Sequence, residues 1–395
     1  MHALISGASV AGPVLAYWLN RYGWRVTVVE RAADMRAGDG GHAVDLFGPA
    51  VEVIARMGLA DRVRAARTRN DSITLLRPGG RPITVATADL VGGIADQHVE
   101  IMRGTLAGLL YEATRDDVDY RFGTVIERLD GTSALLSDGR TVDADLVVGA
   151  DGLHSGVREL AFGPERDYRH FLGAYLAVYT VPDVLQTGPT VAAFTAPGLA
   201  ATVYPTLVPG LSRALFLART PDEIPHDRRD PAAQRKVLRQ LVGTSLGPRV
   251  SAVLDHLDAA DDFYLDDISQ IRMDSWSRAG ITLVGDAGYG PGPAVGGGTS
   301  LAAAGAYVLA SELRNGIDGA LARYEAVLAE PVRHSRRIGP TILNAIVPRT
   351  AAQVWLSAQA MRLLPRLPGP VRNRVLSFGG GPAAMLDGLV LRDVA

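Results

Sequence analysis

The chain has 395 residues, enough for two cores or one large α/β core, and 40 Lys and Arg stand against 42 Asp and Glu for a formal net charge of −2. Near-neutrality without any block of like charge leaves no electrostatic footprint for nucleic acid. The absence of cysteine excludes disulfides, zinc thiolate sites, iron–sulfur clusters and thiol catalysis together.

Ala3 to Ser6 is a short apolar strand with no charged leader before it, and no apolar run reaches the length of a membrane span, so a soluble cytoplasmic protein is expected. Gly7 to Gly12 is a glycine-rich turn. Val14, Leu15, Trp18, Leu19 and Tyr22 recur at helical spacing, and Gly23 stops the helix. Arg25 to Val29 is a second strand rich in β-branched residues, closed by Glu30. Further along, Asp145 to Ala150 is a buried-looking strand that runs into Asp151-Gly152. From Tyr168 to Arg219 the texture changes to alternating or aromatic-rich runs punctuated by Pro and Gly, the pattern of an antiparallel sheet. Pro231 to Val253 reads as one helix and Phe263 to Met273 as another strand. Gly280 to Val284 is a strand followed by Gly285-Asp286, a long Gly/Pro loop and an Ala-rich helix over Ser300 to Leu313. Beyond Glu330 the chain turns helical and basic, with Ile338, Ile342, Leu343 and Ile346, then Val354, Leu356, Met361 and Leu364, at helical spacing.

These elements predict an α/β protein: a Rossmann-like dinucleotide-binding domain interrupted by a β-rich substrate domain, with a C-terminal helical segment. The expected boundaries are 1–75, 98–165 and 273–330 for the first, 76–97 and 166–272 for the second, and 331–395 for the helical segment.

Gly7-Ala8-Ser9-Val10-Ala11-Gly12 fits the dinucleotide fingerprint with Ser9 in place of the second glycine. Gly7 permits the tight turn, and Gly12 lets the helix pack on the strand. The small Ser9, with Val10 and Ala11 opening the helix, lets the backbone approach a pyrophosphate. Glu30, eighteen residues past Gly12, is placed for a ribose hydroxyl. Asp151 and Asp286 each end a strand, where a carboxylate can accept from a sugar or ribityl hydroxyl; Asp151 taken alone is equally a polar turn. Pro291, Pro293, Gly296, Gly297 and Gly298 precede the Ala-rich helix, whose first N–H groups, with Thr299 and Ser300, can hold an electron-rich ring edge. The alternative there is a flexible Gly-rich lid.

In order along Ala3 to Tyr324, these three clusters resemble the group A flavoprotein monooxygenases of the para-hydroxybenzoate hydroxylase fold, including the aromatic polyketide hydroxylases and the tetracycline-inactivating enzymes. Gly7 through Glu30 and Arg31 resembles their ADP-binding segment. Gly149-Ala150-Asp151-Gly152-Leu153-His154-Ser155-Gly156-Val157-Arg158 resembles their Asp-Gly motif, associated with FAD and NAD(P)H. Gly285-Asp286-Ala287 through Gly298 resembles their second FAD motif. Arg103 resembles an Arg that contacts FAD, the alternative being a surface charge at a helix start. Gly40-Gly41-His42-Ala43-Val44-Asp45-Leu46 resembles the loop near the flavin ring and brings in His42 and Asp45; His42 is otherwise a solvated loop histidine. Tyr289 stands where the family usually has His, and Gly297-Gly298-Thr299-Ser300 where Gln-Gly-x-Asn is common.

The resemblance implies non-covalent FAD, reduced by NADPH or NADH and reacting with O2 to a C4a-hydroperoxide that hydroxylates an aromatic or polyketide-like small molecule. The flavin carries that chemistry, so no catalytic side chain is required; His42, Tyr289 and Pro293 are the residues it brings near the ring. With one dinucleotide fold in the chain, the nicotinamide nucleotide is expected to bind transiently, and glycines at Gly40-Gly41 and Gly288 to Gly298 give the backbone near the ring room to adjust. Tyr175, Phe194, Tyr204 and Phe216 are the expected substrate contacts, the alternative being sheet core. The expected partners are the aromatic substrate and O2, with no metal, nucleic acid or membrane, in a monomer or homodimer. A same-fold flavin reductase or oxidase of a natural-product intermediate and a non-catalytic FAD- or drug-binding protein are the rival readings. The dispersed Trp18, Trp24, Trp276 and Trp355 do not form the Trp-x-Trp segment expected of a halogenase.

Overall fold

The computed structural model describes residues 1–35, 41–77, 80–91, 98–228, 230–293, 296–372, 386 and 389–392. Ala3, Leu4 and Ile5 are fully buried, and an apolar strand of this kind belongs inside a parallel sheet covered on both faces. The strand His2–Ser6 accordingly lies inside a six-stranded sheet of order Ser277–Arg278, Ile281–Leu283, Leu146–Gly149, His2–Ser6, Arg25–Glu30 and Asp119–Phe122. Its pairings are parallel except for the hairpin formed by the first two strands. Ser6 pairs with Gly149, and Gly149 with Leu283. The three turns that follow these strands, at Gly7, Ala150-Asp151 and Gly285-Asp286, therefore emerge side by side at the carboxyl edge of the sheet, where ligands of open α/β sheets bind.

Helices Ala11–Arg21 and Gly298–Leu313 pack against each other in this core, with Trp18 edge-on to Tyr307 at 5.1 Å between centroids. A second, seven-stranded sheet runs in the order Tyr264–Ile271, Arg169–Pro182, Leu211–Arg219, Leu199–Pro205, Thr190–Ala196, Ser72–Leu76 and Ile83–Ala86. Side chains alternate across it. Tyr175, Ala177 and Tyr179 point to an outer layer containing helices Pro231–Val242 and Pro248–Leu254, while Ala174, Leu176 and Val178 point the other way. The single helix expected over Pro231 to Val253 is thus two: Gly243 caps the first and Pro248 opens the second. A two-stranded ribbon, Ala43–Phe47 with His98–Met102, is hydrogen-bonded to Ser300 of helix Gly298–Leu313 and to Tyr204 of the seven-stranded sheet.

Helix Ala320–Ile346 begins earlier than the expected start beyond Glu330 and continues through Pro331 and Pro340. Its N-terminal half places Tyr324, Leu328 and Val332 in the core of the parallel sheet, and its C-terminal half places Ile342 and Leu343 against Ala174, Leu176 and Ile268 of the second. Burial on both cores offsets the backbone cost of two helical prolines. Helix Ala351–Leu363 follows and seats Ala358 and Met361 on Leu75, Ile83 and Val85. Among the described residues, no helix is long and apolar enough to cross a membrane.

Candidate active site

At the first turn Gly7 has φ +110°, and a Cβ there would lie 2.4 Å from the Ala150 carbonyl oxygen. A Cβ on Gly12 would lie 1.9 Å from the Gly7 carbonyl oxygen. Strand, turn and helix meet too closely for any side chain at either position. Helix Ala11–Arg21 starts with no side-chain cap and no acidic residue in its first turn, so its first amides and its positive dipole end remain available to an anion. Val10 and Ala11 are buried at that start, and Ser9 is half-buried, its Oγ accepting from Arg103 Nε at 3.2 Å. Glu30 is oriented by backbone: its carboxylate accepts from Ala8 N–H and Ala32 N–H, both at 2.9 Å. Arg31 is exposed beside it.

Asp151 accepts through one oxygen from Gly156 N–H (2.9 Å), Val157 N–H (3.2 Å) and Ser6 Oγ (3.3 Å). Its other oxygen is buried without a partner, and burial raises its pKa above the usual carboxylate range despite those bonds. The fully buried Arg158 locks this motif to the third turn, donating to the carbonyls of Leu153 (2.6 Å) and Ala287 (2.9 Å) and to Glu165 (3.0 Å). Asp286 and Arg103 are both exposed to solvent, yet burial by the surrounding protein is the largest influence on the Asp286 carboxyl, so it stands in a recess, a groove at the edge of the sheet. The surrounding protein pushes the Asp286 carboxyl up while Arg103 opposes that shift. No donor among the described residues reaches the Asp286 carboxylate.

The strand Ala43–Phe47 runs past this groove. His42, half-buried at its start, is pushed down to about 4, by burial first and then by Arg103 and Arg213, with Asp45 opposing. A neutral imidazole therefore stands within the electrostatic reach of both Arg103 and Arg213. Asp45 is half-buried and its carboxylate meets His98 Nε2 at 2.6 Å. Helix Gly298–Leu313 begins without a side-chain cap, leaving first-turn amides available near Gly296 and Gly297. Thr299 and Pro293 are half-buried beside it.

Several expected residues sit elsewhere. The hydroxyl of Ser300 is fully buried and bridges the strand, accepting from Phe47 N–H and donating to Asp45 C=O, each at 2.9 Å, so its side chain is engaged within the protein. Tyr289 is fully buried, bonded to the Tyr324 hydroxyl at 3.0 Å and edge-on to Trp276, so it is core and not a ring neighbour. Gly40 lies outside the described residues. Tyr175, Phe194 and Phe216 face the outer helical layer of the seven-stranded sheet, where strand alternation turns them away from the groove. Tyr204 alone of that group lies on the inner face, its hydroxyl 3.2 Å from Ala43 N–H.

The same inner face carries Thr202, Leu215 and Arg213, the last paired across strands with Tyr204. Arg213 is buried and bonds to Thr180 and Asp262. Composition patterns did not mark these residues, though an Arg inside an apolar strand is a signal in itself, since a buried charge needs partners. The same holds for Asp266 and Asp267. Asp266 meets His154 at 3.0 Å and accepts from the half-exposed Tyr264 hydroxyl at 2.7 Å; Asp267 meets Arg228 at 2.5 Å and Arg169 at 2.9 Å. Burial works against charge on His154, but its bonds to Asp266 and Glu165 outweigh that and raise it to about 9. This network fastens the Asp-Gly motif to the edge strand of the second sheet.

A family described as FAD binding domain matches residues 1–327. A Mycobacterium tuberculosis protein of uncharacterised function is 40% identical over 317 residues, covering 79% of this chain and 84% of its own. A flavin-dependent monooxygenase from an unknown prokaryotic organism is 35% identical over 341 residues, covering 85% of this chain and 88% of its own. Among solved structures, tetracycline destructase Tet(55) superposes with a TM-score of 0.83 at 31% identity, covering 99% of this chain and 98% of its own.

Proposed function

This chain belongs to the FAD binding domain family and is an FAD-dependent monooxygenase, and from that premise we propose that it hydroxylates an aromatic or polyketide-like small molecule with NADPH or NADH as reductant. Its residues fit the cofactor. The close-packed cradle at Gly7 and Gly12 tolerates no Cβ, one Asp151 oxygen is buried without a partner, and Asp286 stands in the groove with no donor of its own. When bound, FAD supplies hydride acceptance and dioxygen activation.

The chain's own part is binding, orientation and exclusion of water. In this reading Glu30 holds the adenosine ribose, with Arg31 beside it. The amides from Ser9 to Gly12 hold the pyrophosphate, together with Arg103. Asp286 accepts from the ribityl chain, and the opening amides of helix Gly298–Leu313 stabilise negative charge on the ring. Asp45 and the neutral His42 line the ring side of the groove. Thr202, Tyr204, Arg213 and Leu215 form the substrate wall opposite. The observation that carries the reading is the convergence of three strand-end turns at one edge of the sheet, where Asp286 stands within the electrostatic reach of Arg103. The likeness to a tetracycline destructase supports a fused-ring substrate.

Purified protein should take up FAD stoichiometrically and release it intact on heating, and one member of a panel of polyphenols and tetracycline should stimulate its NADPH oxidation. A protein that stays colourless after added FAD refutes the proposal.

A further inference from the structure

The ribbon strand Ala43–Phe47 has two edges with different partners. Arg103 N–H donates to His42 C=O at 3.1 Å, and Ala43 pairs with Met102 in the register. In an antiparallel ladder this phase turns the backbone groups of Val44 and Leu46 toward the neighbouring strand and those of Ala43, Asp45 and Phe47 outward. Two hydroxyls hold the outward edge. Ser300, on a helix of the parallel-sheet domain, takes Asp45 C=O and Phe47 N–H. Tyr204, on the seven-stranded sheet, takes Ala43 N–H at 3.2 Å. One end of the strand is thus tied to the cofactor domain, and the other, next to His42, to the substrate wall.

Tyr204 is 5% exposed, and burial pushes its phenol up to about 12, so it is a neutral O–H. Its oxygen accepts from Ala43, while its own proton meets no acceptor among the described residues. That proton is available to an oxygen atom of a molecule lying on the inner face beside Arg213. Donation there makes the phenol oxygen a better acceptor and tightens the bond to Ala43, because linked hydrogen bonds reinforce each other.

We infer that Tyr204 is a positioning residue: it donates to a carbonyl, enol or phenol oxygen of the substrate and thereby fixes the loop beside the flavin ring. The inference rests on the flavin reading above. It assigns Tyr204 a role through Ala43 that shape-filling contact with substrate does not include.

The test compares Tyr204→Phe, Ala43→Pro and the double variant with wild type and with Tyr179→Phe. Tyr179 also donates a buried hydroxyl bond from the same strand system, to Val253 C=O at 3.1 Å, but on the opposite face. Proline at 43 removes the same hydrogen bond from its other partner, on an outward edge where proline is tolerated. One readout is hydrogen peroxide formed per FAD-saturated protein with NADPH and no substrate. The other is the Kd of the panel compound that stimulates NADPH oxidation, which should rise about fivefold in Tyr204→Phe and less in Ala43→Pro. An unchanged Kd in Tyr204→Phe overturns the donation. With the loop freed, Tyr204→Phe and Ala43→Pro should each raise the peroxide rate by about fivefold, the scale of one ordinary hydrogen bond. The double variant should add nothing further, and Tyr179→Phe should match wild type. A Tyr204→Phe rate equal to wild type, multiplying effects in the double variant, or a change that merely follows weakened FAD binding overturns the inference. Failure of wild type to bind FAD instead strikes the parent reading.

Discussion

Asp286→Asn separates the cofactor role of this carboxylate from any role in folding. Asp286 is exposed to the groove and accepts no hydrogen bond within the described residues, so the substitution removes no internal hydrogen bond and only the attraction of Arg103. Surrounding protein holds its pKa above the ordinary carboxylate range, with Arg103 opposing. A raised folded pKa means the native state binds the proton more tightly than the unfolded chain, so the ionised carboxylate subtracts stability once pH rises above that range. Asparagine should therefore leave the melting temperature of the FAD-free protein unchanged or raise it. FAD affinity should move the opposite way. A hydrogen bond to a charged acceptor contributes about 1.5–3 kcal/mol and one to a neutral acceptor about 0.5–1.5; asparagine keeps a neutral carbonyl acceptor, so the change should weaken FAD binding about fivefold to tenfold. Fluorescence titration of FAD into the FAD-free protein, beside differential scanning calorimetry of the same sample, reads both quantities. Unchanged FAD affinity, or a clear fall in the melting temperature of the FAD-free protein, refutes the assignment.

Gly12→Ala should abolish FAD binding, because its Cβ would sit 1.9 Å from the Gly7 carbonyl oxygen; a yellow variant of normal affinity contradicts the cradle. His154 is raised from 6.5 to about 9, so its ion pairs add stability that is complete below the unfolded value and lost as pH climbs through about 9. Urea midpoints measured across that interval should fall in wild type and fall less in His154→Gln; parallel curves would remove the network from the pH response. Leu343 is 1% exposed against Ala174, Leu176 and Ile268, and Leu343→Ala should cost about 2–5 kcal/mol. Since its helix spans both cores, the loss should appear in one shared unfolding transition; a parallel-sheet domain melting as in wild type would count against the brace.

The turns at Gly7, Asp151 and Asp286 were legible because each follows a short apolar strand and carries residues whose backbone demands are local. Their adjacency was not local, and it depends on the register that sets Ser6 beside Gly149 and Gly149 beside Leu283. Periodicity revealed strands in the β-rich region without saying which face looks inward. That is why Tyr175, Phe194 and Phe216 read as substrate contacts and turned out to be outer-layer core, while Arg213 and Thr202 went unnoticed. Tyr289 misled for a different reason: its place in the motif suggested the ring, but the turn aims its side chain at Tyr324 and Trp276. Ser300 was legible as a helix start, and only the fold shows its hydroxyl engaged by the strand beside it.

The central claim is that this protein transfers one oxygen atom from dioxygen to an aromatic substrate. The direct measurement is turnover of the FAD-saturated protein with NADPH under 18O2, using whichever polyphenol or tetracycline stimulates NADPH oxidation, with mass spectrometry of the product. The product should carry a single 18O atom, with O2 and NADPH consumed in equal amounts. Hydrogen peroxide equal to all the NADPH consumed, with every compound in the panel recovered unlabelled, would contradict it.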